Sequence, residues 1–278
     1  MIYALFGNPV AQSLSPLMHN AALKAMGLDG CYYVPLCVRH LPGAVQGLRS
    51  MDIRGVSVTI PFKSDIMEYL DDIDDEALRI GAVNTLVNDN GRLTGRNTDW
   101  RGLMQSLTEQ VELAGKTVMI LGAGGTARAA LYGVVREGGH PVIVNRTDGK
   151  GRELAQDWGC PYESLKNIGK VKANILINTS PVGMWPDVED MPVDGGALKR
   201  FAWVVDVIYN PLKTKLLQEA EKAGCRTLSG LDMFVYQGAE QIRIWTGLEP
   251  PVDIMRRVVL AHLTAASGIS SAGVKEQA

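Results

Sequence analysis

The chain turns through Gly122-Ala123-Gly124-Gly125-Thr126-Ala127 between an apolar run and an apolar helical stripe, and no other stretch constrains the fold as much. Thr117-Val118-Met119-Ile120-Leu121 is short, carries β-branched residues and is bounded by Gly115 and Gly122. That is the pattern of a strand buried on both faces of a parallel sheet. Ala127, Ala130, Leu131, Val134 and Val135 then recur at i, i+3, i+4, i+7 and i+8, one face of a helix. Strand, glycine turn and helix in that order make the unit that seats a dinucleotide pyrophosphate. Gly122 permits the tight turn, Gly124 lets the backbone approach the phosphates, and Ala127 keeps helix and strand close. The first helical turn, from Gly125 and Thr126 onward, offers free N–H groups to the anion. A plain tight turn with no ligand is the competing reading.

The end of the next strand bears on which dinucleotide. A site for NAD usually carries an acidic residue there, about 20 residues after the glycines, to hold the ribose hydroxyls. Here Pro141–Val144 runs into Asn145-Arg146-Thr147, with Lys150 close behind. A guanidinium with hydrogen-bonding neighbours suits a 2′-phosphate, so the expected cofactor is NADP(H). Asp148 falls in the following turn, where a helix cap is an alternative role. For Arg146 the alternative is a solvated surface charge.

Strand-like and helix-like stretches alternate on either side of this unit. The fold class expected is α/β with two domains, a Rossmann-type doubly wound parallel sheet beside a smaller α/β substrate domain, with a cleft between them. We expect residues 102–234 to form the nucleotide domain, and residues 1–101 and 235–265 to form a discontinuous substrate domain. A flexible tail of small and polar residues is expected over 266–278. A length of 278 residues suits two domains better than one. A formal net charge of −2 with no basic run argues against a nucleic-acid partner. No run approaches 18 apolar residues, and the first residues lack the pattern of a signal peptide, so neither a membrane partner nor export is expected. Cys31, Cys37, Cys160 and Cys225 are scattered, as are His19, His40, His140 and His262. Reduced thiols, no metal and a cytoplasmic location are the expectation.

The first hundred residues carry polar side chains where a core strand would not want them. Ser13 and Ser15 follow the first strand and precede Pro16; they suit either a bound carboxylate or a helix N-cap. Ser57 and Thr59 share one face of a strand that leads to Lys63 at the start of an expected helix. Asn84 and Asp99 stand at the edges of strand-like segments. Taken singly, Lys63 reads as an exposed lysine and Gln237 as an ordinary helix residue.

Together these stretches resemble the shikimate dehydrogenase family. The motifs occur in order as G-N-P-x-x-x-S-x-S-P (Gly7–Pro16), V-T-x-P-F-K (Val58–Lys63), A-V-N-T (Ala82–Thr85) and G-x-N-T-D (Gly95–Asp99). G-A-G-G-x-x-R-A, N-R-T, I-N-T-S (Ile177–Ser180), Tyr209-Asn210-Pro211 and Gly230–Gly238 follow, so the resemblance spans about residues 2–263. It implies that Ser13 and Ser15 bind a substrate carboxylate, and that Thr59, Lys63, Asn84, Asp99 and Gln237 hold ring hydroxyls and the reacting oxygen. Tyr209 resembles a position near both ligands, and Thr179 and Gly230 join the cofactor site. Lys63 and Asp99 are implied as the catalytic pair: a hydride leaving a secondary alcohol must be accompanied by loss of the hydroxyl proton, and a positioned lysine beside a carboxylate can exchange it. Lys63 as proton carrier and Lys63 as substrate clamp both stand. Lys150 replaces an arginine common at its position, a point charge where a fork would grip a phosphate twice.

The implied activity is the reversible NADPH-dependent reduction of 3-dehydroshikimate to shikimate, a step of chorismate and aromatic amino-acid biosynthesis. The implied protein is a monomer or homodimer. A quinate/shikimate dehydrogenase that accepts NAD is the near alternative, opposed by Asn145-Arg146-Thr147 and Ser13. A catalytically idle ligand sensor is the distant one, opposed by the intact Lys63 and Asp99.

Overall fold

A computed structural model describes residues 1–266; the part of the expected tail beyond Ala266 lies outside the described residues. Two six-stranded sheets, flanked by helices, organise the chain. The first runs in the order β2-β1-β3-β5-β6-β4, with β1 at Ile2–Gly7, β2 at Tyr32–Cys37, β3 at Ile53–Val58, β4 at Asp72–Ile73, β5 at Thr85–Asp89 and β6 at Arg92–Arg96. β1, β2 and β3 are parallel, whereas β5 pairs antiparallel with both β3 and β6. The β5–β6 hairpin closes through Asn90 and Gly91, both at positive φ, the geometry that Asn-Gly favours.

The second sheet is parallel throughout and runs β12-β11-β10-β7-β8-β9. Its strands are β7 (Thr117–Leu121), β8 (His140–Asn145), β9 (Tyr162–Ser164), β10 (Ile175–Asn178), β11 (Trp203–Asp206) and β12 (Arg226–Leu228). Along β7 the side chains alternate between two cores. Val118 and Ile120 pack with Ala127, Ala130 and Leu131 of helix α5 (Gly125–Arg136), and Met119 and Leu121 pack with Leu216 and Leu217 on the other face. Burial on both faces is why this strand reads as a continuous apolar run. The strand order reverses between β7 and β10, and ligands of open α/β sheets bind at such a reversal, beyond the carboxyl ends of the strands.

Two helices join the sheets. α4 (Asp99–Thr108) leaves the first sheet and packs against α5 and against α8 (Leu231–Thr246). A Cβ at Gly102 would lie 2.7 Å from both the Met233 carbonyl and the Gln237 amide, so glycine sets how closely α4 and α8 approach. α9 (Val252–Ala266) returns to pack on α1 (Ser15–Ala25), adding the last helix to the side of the first sheet.

Two local expectations change. No α-helix starts at Lys63; a five-residue 3-10 turn spans Asp65–Tyr69. The Lys63 carbonyl is taken by the Val83 N–H at 2.7 Å, so it cannot begin an α-helical ladder. Ser15 is not an N-cap but the first residue of α1, and the hydroxyl that accepts its N–H is that of Ser13, at 3.2 Å.

Candidate active site

Lys63 and Asp99 meet through Nζ and Oδ2 at 2.5 Å, with little of either side chain exposed. Backbone pairing brings them there. Lys63 is pinned to Val83, and the next residue, Asn84, donates its N–H to the Arg96 carbonyl. Asn97 then donates to the Ala82 carbonyl and accepts the Asp99 N–H, which starts α4 at this point. A carboxylate in the first turn of a helix is also favoured by the helix dipole. The other oxygen of Asp99, Oδ1, accepts from Asn84 Nδ2 at 2.8 Å. Asn84 cannot turn its amide around, because its Oδ1 already accepts from the Thr98 N–H and the Thr85 hydroxyl, each at 2.7 Å.

A cavity of about 210 Å³ opens over this pair, and Ser13, Ser15, Thr59, Lys63, Asn84, Asp99, Tyr209 and Gln237 all line it. Ser13 and Ser15 share a hydrogen bond of 3.1 Å at one end, and the Tyr209 hydroxyl accepts the Leu14 N–H between them at 3.4 Å. Burial pushes the Tyr209 phenol up, so it stays a neutral hydroxyl in the working range of pH. Gln237, on the cavity wall, donates to the Phe234 carbonyl of its own helix at 2.7 Å.

A second cavity, of about 660 Å³, lies against the β7–β10 reversal. Gly122, Ala123, Gly124, Gly125, Thr126, Asn145, Arg146, Lys150 and Thr179 line it. Gly122 has φ +119°, and a Cβ there would lie 2.6 Å from Thr179 Oγ1, which itself donates to the Leu121 carbonyl. Nothing lies within 4 Å of the Cβ position of Gly124, so the turn is open at the point of closest phosphate approach. Arg146, Lys150 and Arg128 face this space, and none forms an ion pair among the described residues. Asp148, at the start of the following helix, does not line this cavity; it accepts from the Tyr162 hydroxyl at 2.6 Å, and Arg152 stacks over the same ring. Arg128, Arg146 and Lys150 outnumber the two acids that line the cavity, Asp65 and Glu153, and the site fits a dinucleotide bearing a 2′-phosphate.

Three residues expected at the cofactor do not line this cavity. Ala127 is fully buried between α5 and the sheet. Thr147 directly precedes helix α6 (Asp148–Trp158), without a side-chain capping bond, and receives Asn145 Nδ2 on its carbonyl at 2.8 Å. Gly230 starts α8 so close to Val207 that a Cβ would lie 2.1 Å from its carbonyl oxygen.

The two cavities are contiguous. Ile60, Lys63, Thr126, Thr179, Ser180 and Pro181 line both. Lys63 Nζ reaches Thr126 Oγ1 at 3.4 Å, and a Cβ at Gly125 would meet the Lys63 stem at 3.0 Å. A lysine paired with a carboxylate thus stands where a substrate and a dinucleotide would touch.

Comparison with known proteins agrees with that geometry. Residues 5–86 match the family model described as the shikimate dehydrogenase substrate binding domain, and residues 230–260 match the shikimate 5′-dehydrogenase C-terminal domain. The shikimate dehydrogenase (NADP(+)) of Methanothermobacter thermautotrophicus is 46% identical over 266 residues, covering 91% of this chain and 94% of that protein. The chain belongs to the shikimate dehydrogenase family. A shikimate dehydrogenase solved with NADP+ superimposes with a TM-score of 0.88 at 38% identity, covering 95% of this chain and 96% of that one. The shikimate 5-dehydrogenase of Thermus thermophilus, solved with NADP(H) and shikimate, gives a TM-score of 0.85 at 35% identity, covering 94% of this chain and 99% of that one.

As a shikimate dehydrogenase family member, the chain also carries polar residues at the site to which the motifs assigned no role. Ser57 and Gln241 line the substrate-side cavity, and Arg128 lines the other. Gln241 stands one helical turn after Gln237, so the i, i+4 spacing was a signal for it. Arg128 lies in the first turns of α5, where the helix dipole disfavours a cation unless an anion is nearby. Asp206 has no exposed surface, and burial pushes its carboxyl up to about 7. It accepts from Asn178, Thr214 and the Ile208 N–H, joining the segments that lead to Thr179 and Tyr209.

Proposed function

We propose that this shikimate dehydrogenase family member catalyses the reversible reduction of 3-dehydroshikimate to shikimate with NADPH, a step toward chorismate and the aromatic amino acids. The observation that carries the reading is the Lys63–Asp99 pair: Lys63 stands on the wall common to the two cavities, and Asp99, its partner, lines the first. Support comes also from relatives that bear the name shikimate dehydrogenase (NADP(+)).

In this reading residues 1–101 and 235–265 bind substrate and residues 102–234 bind cofactor. Bound NADP(H) supplies or accepts the hydride at the carbon that alternates between ketone and secondary alcohol. Lys63 exchanges the proton at the oxygen of that carbon, and Asp99 orients the ammonium and balances its charge. Asn84 holds Asp99, while Thr59 and Gln237 take ring hydroxyls. Ser13 and Ser15 receive the carboxylate, assisted by Tyr209. Gly122–Thr126 and the first turn of α5 hold the pyrophosphate, and Arg146 with Asn145 and Lys150 reads the 2′-phosphate. Ala127, Thr147 and Gly230 act by shaping the backbone around that site, and Thr179 closes it.

We place the protein in the cytoplasm as a monomer or homodimer without nucleic-acid or membrane partners. Four free cysteines and a net charge of −2 support this, and no helix among the described residues is long and apolar enough to cross a membrane. The test is steady-state oxidation of shikimate and of quinate with NADP and with NAD. The highest kcat/KM is expected for shikimate with NADP. A preference for quinate or for NAD would replace this reading with the quinate/shikimate one, and no turnover with any pair would favour a sensor.

A further inference from the structure

Along the wall of the substrate-side cavity a chain of buried hydrogen bonds runs from Tyr33 to Asp99, and each donor in it points the same way. The Tyr33 hydroxyl donates to Ser57 Oγ at 2.7 Å, and Ser57 donates to Gln241 Oε1 at 2.7 Å. Gln241 Nε2 donates to Thr85 Oγ1 at 3.0 Å and to the Asn84 carbonyl at 3.2 Å. Thr85 then donates to Asn84 Oδ1, and Asn84 Nδ2 donates to Asp99 Oδ1. Ser57, Asn84, Thr85, Asp99 and Gln241 are all buried.

The donors have no freedom to reverse. The Asn84 carbonyl can only accept, so it holds the Gln241 NH2 group toward it and turns Oε1 to Ser57, whose single proton must then go to Gln241 and whose oxygen takes that of Tyr33. The same NH2 group faces Thr85. Thr85, with its oxygen occupied, directs its proton at Asn84. Gln241 is also the element that crosses space: it reaches from α8 to the start of β5, 156 positions away in sequence. Gln237 lies one turn earlier on the same helix, on the cavity wall. One amide therefore links the helix that carries Gln237 to both Asn84 and Thr85.

We infer that Gln241 is a positioning residue for the Lys63–Asp99 pair, acting through Thr85 and Asn84 without touching the reacting atoms. The inference rests on the reading of Lys63 and Asp99 as the proton-transfer pair. Removing the Gln241 amide frees the Thr85 proton, loosens Asn84, and lets Asp99 leave the geometry that holds Lys63. α8 itself stays docked in such a variant, because Trp245 still donates to the Leu86 carbonyl at 2.9 Å through the gap left by Gly55.

The test compares Gln241→Met, Thr85→Val, their double variant and Thr85→Ser, with kcat normalised to folded protein. Gln241→Met and Thr85→Val are each expected to lower kcat by about 5- to 50-fold, the scale of a small misplacement of a reacting group. KM for NADP should stay within about twofold, since the chain does not reach the dinucleotide cavity. The double variant should lose no more than the worse single one, because both cut the same chain. Thr85→Ser, which keeps the hydroxyl, should restore most of the turnover. A merely structural role would lower Tm and leave kcat per folded molecule unchanged. Turnover within about twofold of the parent in Gln241→Met, or losses that multiply in the double variant, would overturn the inference. If Gln241→Met does not fold, the contrast between Thr85→Val and Thr85→Ser decides it. Asp99→Asn is run alongside: if it retains turnover, the reading of the pair fails. If it is crippled while Gln241→Met is not, only the positioning role falls.

Discussion

Lys63 Nζ lies 2.5 Å from Asp99 Oδ2 and 3.4 Å from Thr126 Oγ1, so one ammonium touches both the carboxylate that orients it and the turn that receives the dinucleotide. A group so placed can lose a proton to the substrate oxygen and regain it with its charge always compensated. Lys63→Ala or Asp99→Ala should therefore lower kcat by a factor on the order of 10²–10⁴, the usual worth of a general acid–base group. Steady-state rates for shikimate oxidation at saturating cofactor measure this, and near-normal turnover in either variant would remove the pair from the chemistry.

Arg146 and Arg128 line one cavity at different places, and their removal should be distinguishable. Arg146 follows β8 at the ribose end, whereas Arg128 lies one turn into α5, beside the phosphate-binding turn. Arg146→Ala is expected to raise KM for NADP at least tenfold, a loss of about 1.4 kcal/mol or more of charge-assisted bonding, and to leave KM for NAD nearly unchanged. Arg128→Ala should raise both constants by similar factors, because the pyrophosphate is common to the two cofactors. Equal effects of Arg146→Ala on the two would take the 2′-phosphate from it.

Much of the site was legible because its signals are local. Strand, glycine turn and helix occupy one continuous stretch from Thr117 to Arg136, and the period of the apolar residues changes at Gly122. The remainder depends on pairings that no local pattern encodes. Lys63 does not start a helix because Val83, 20 positions on, claims its carbonyl. Asp148 is withdrawn from the ribose end by Tyr162, on a three-residue strand too short to show a period. Gln241 looks like any polar residue of an amphipathic helix until the sheet brings Thr85 beneath it. Ser15 could be read as a cap or a ligand from its neighbours, and only the fold showed Ser13 taking the N–H and both hydroxyls facing one cavity.

Gly102 is where the helix bearing Asp99 meets the helix bearing Gln237. A Cβ there would fall 2.7 Å from backbone atoms of Met233 and Gln237, which cannot swing aside as a side chain could. Gly102→Ala should force α4 and α8 apart and cost about 1–3 kcal/mol, as overpacking of a close contact does. Urea unfolding measures the loss, and kcat/KM for shikimate should fall with it. Stability equal to the parent would mean that the helices yield without strain.

Asp206 should make stability depend on pH in a direction opposite to that of a salt-bridged carboxylate. Burial raises its folded-state pKa from 3.8 to about 7, against the lowering effect of the Thr214, Ile208 and Asn178 donors. Below about pH 4 the carboxyl is protonated whether the chain is folded or not, and it costs nothing. Between about pH 4 and 7 the unfolded chain releases the proton while the folded chain keeps it, so the unfolded state binds fewer protons and stability falls as pH rises. Above about pH 7 both states are ionised and the full penalty, on the order of 2–4 kcal/mol, is present. Asp206→Asn keeps an acceptor for Ile208 and Asn178, offers an N–H to Thr214 Oγ1, and cannot ionise. The unfolding free energy of the parent minus that of Asp206→Asn, measured in urea from pH 4 to 8, should therefore decline steadily through this window and then level off. A difference that stays flat, or rises with pH, would show that Asp206 is held as an ordinary carboxylate.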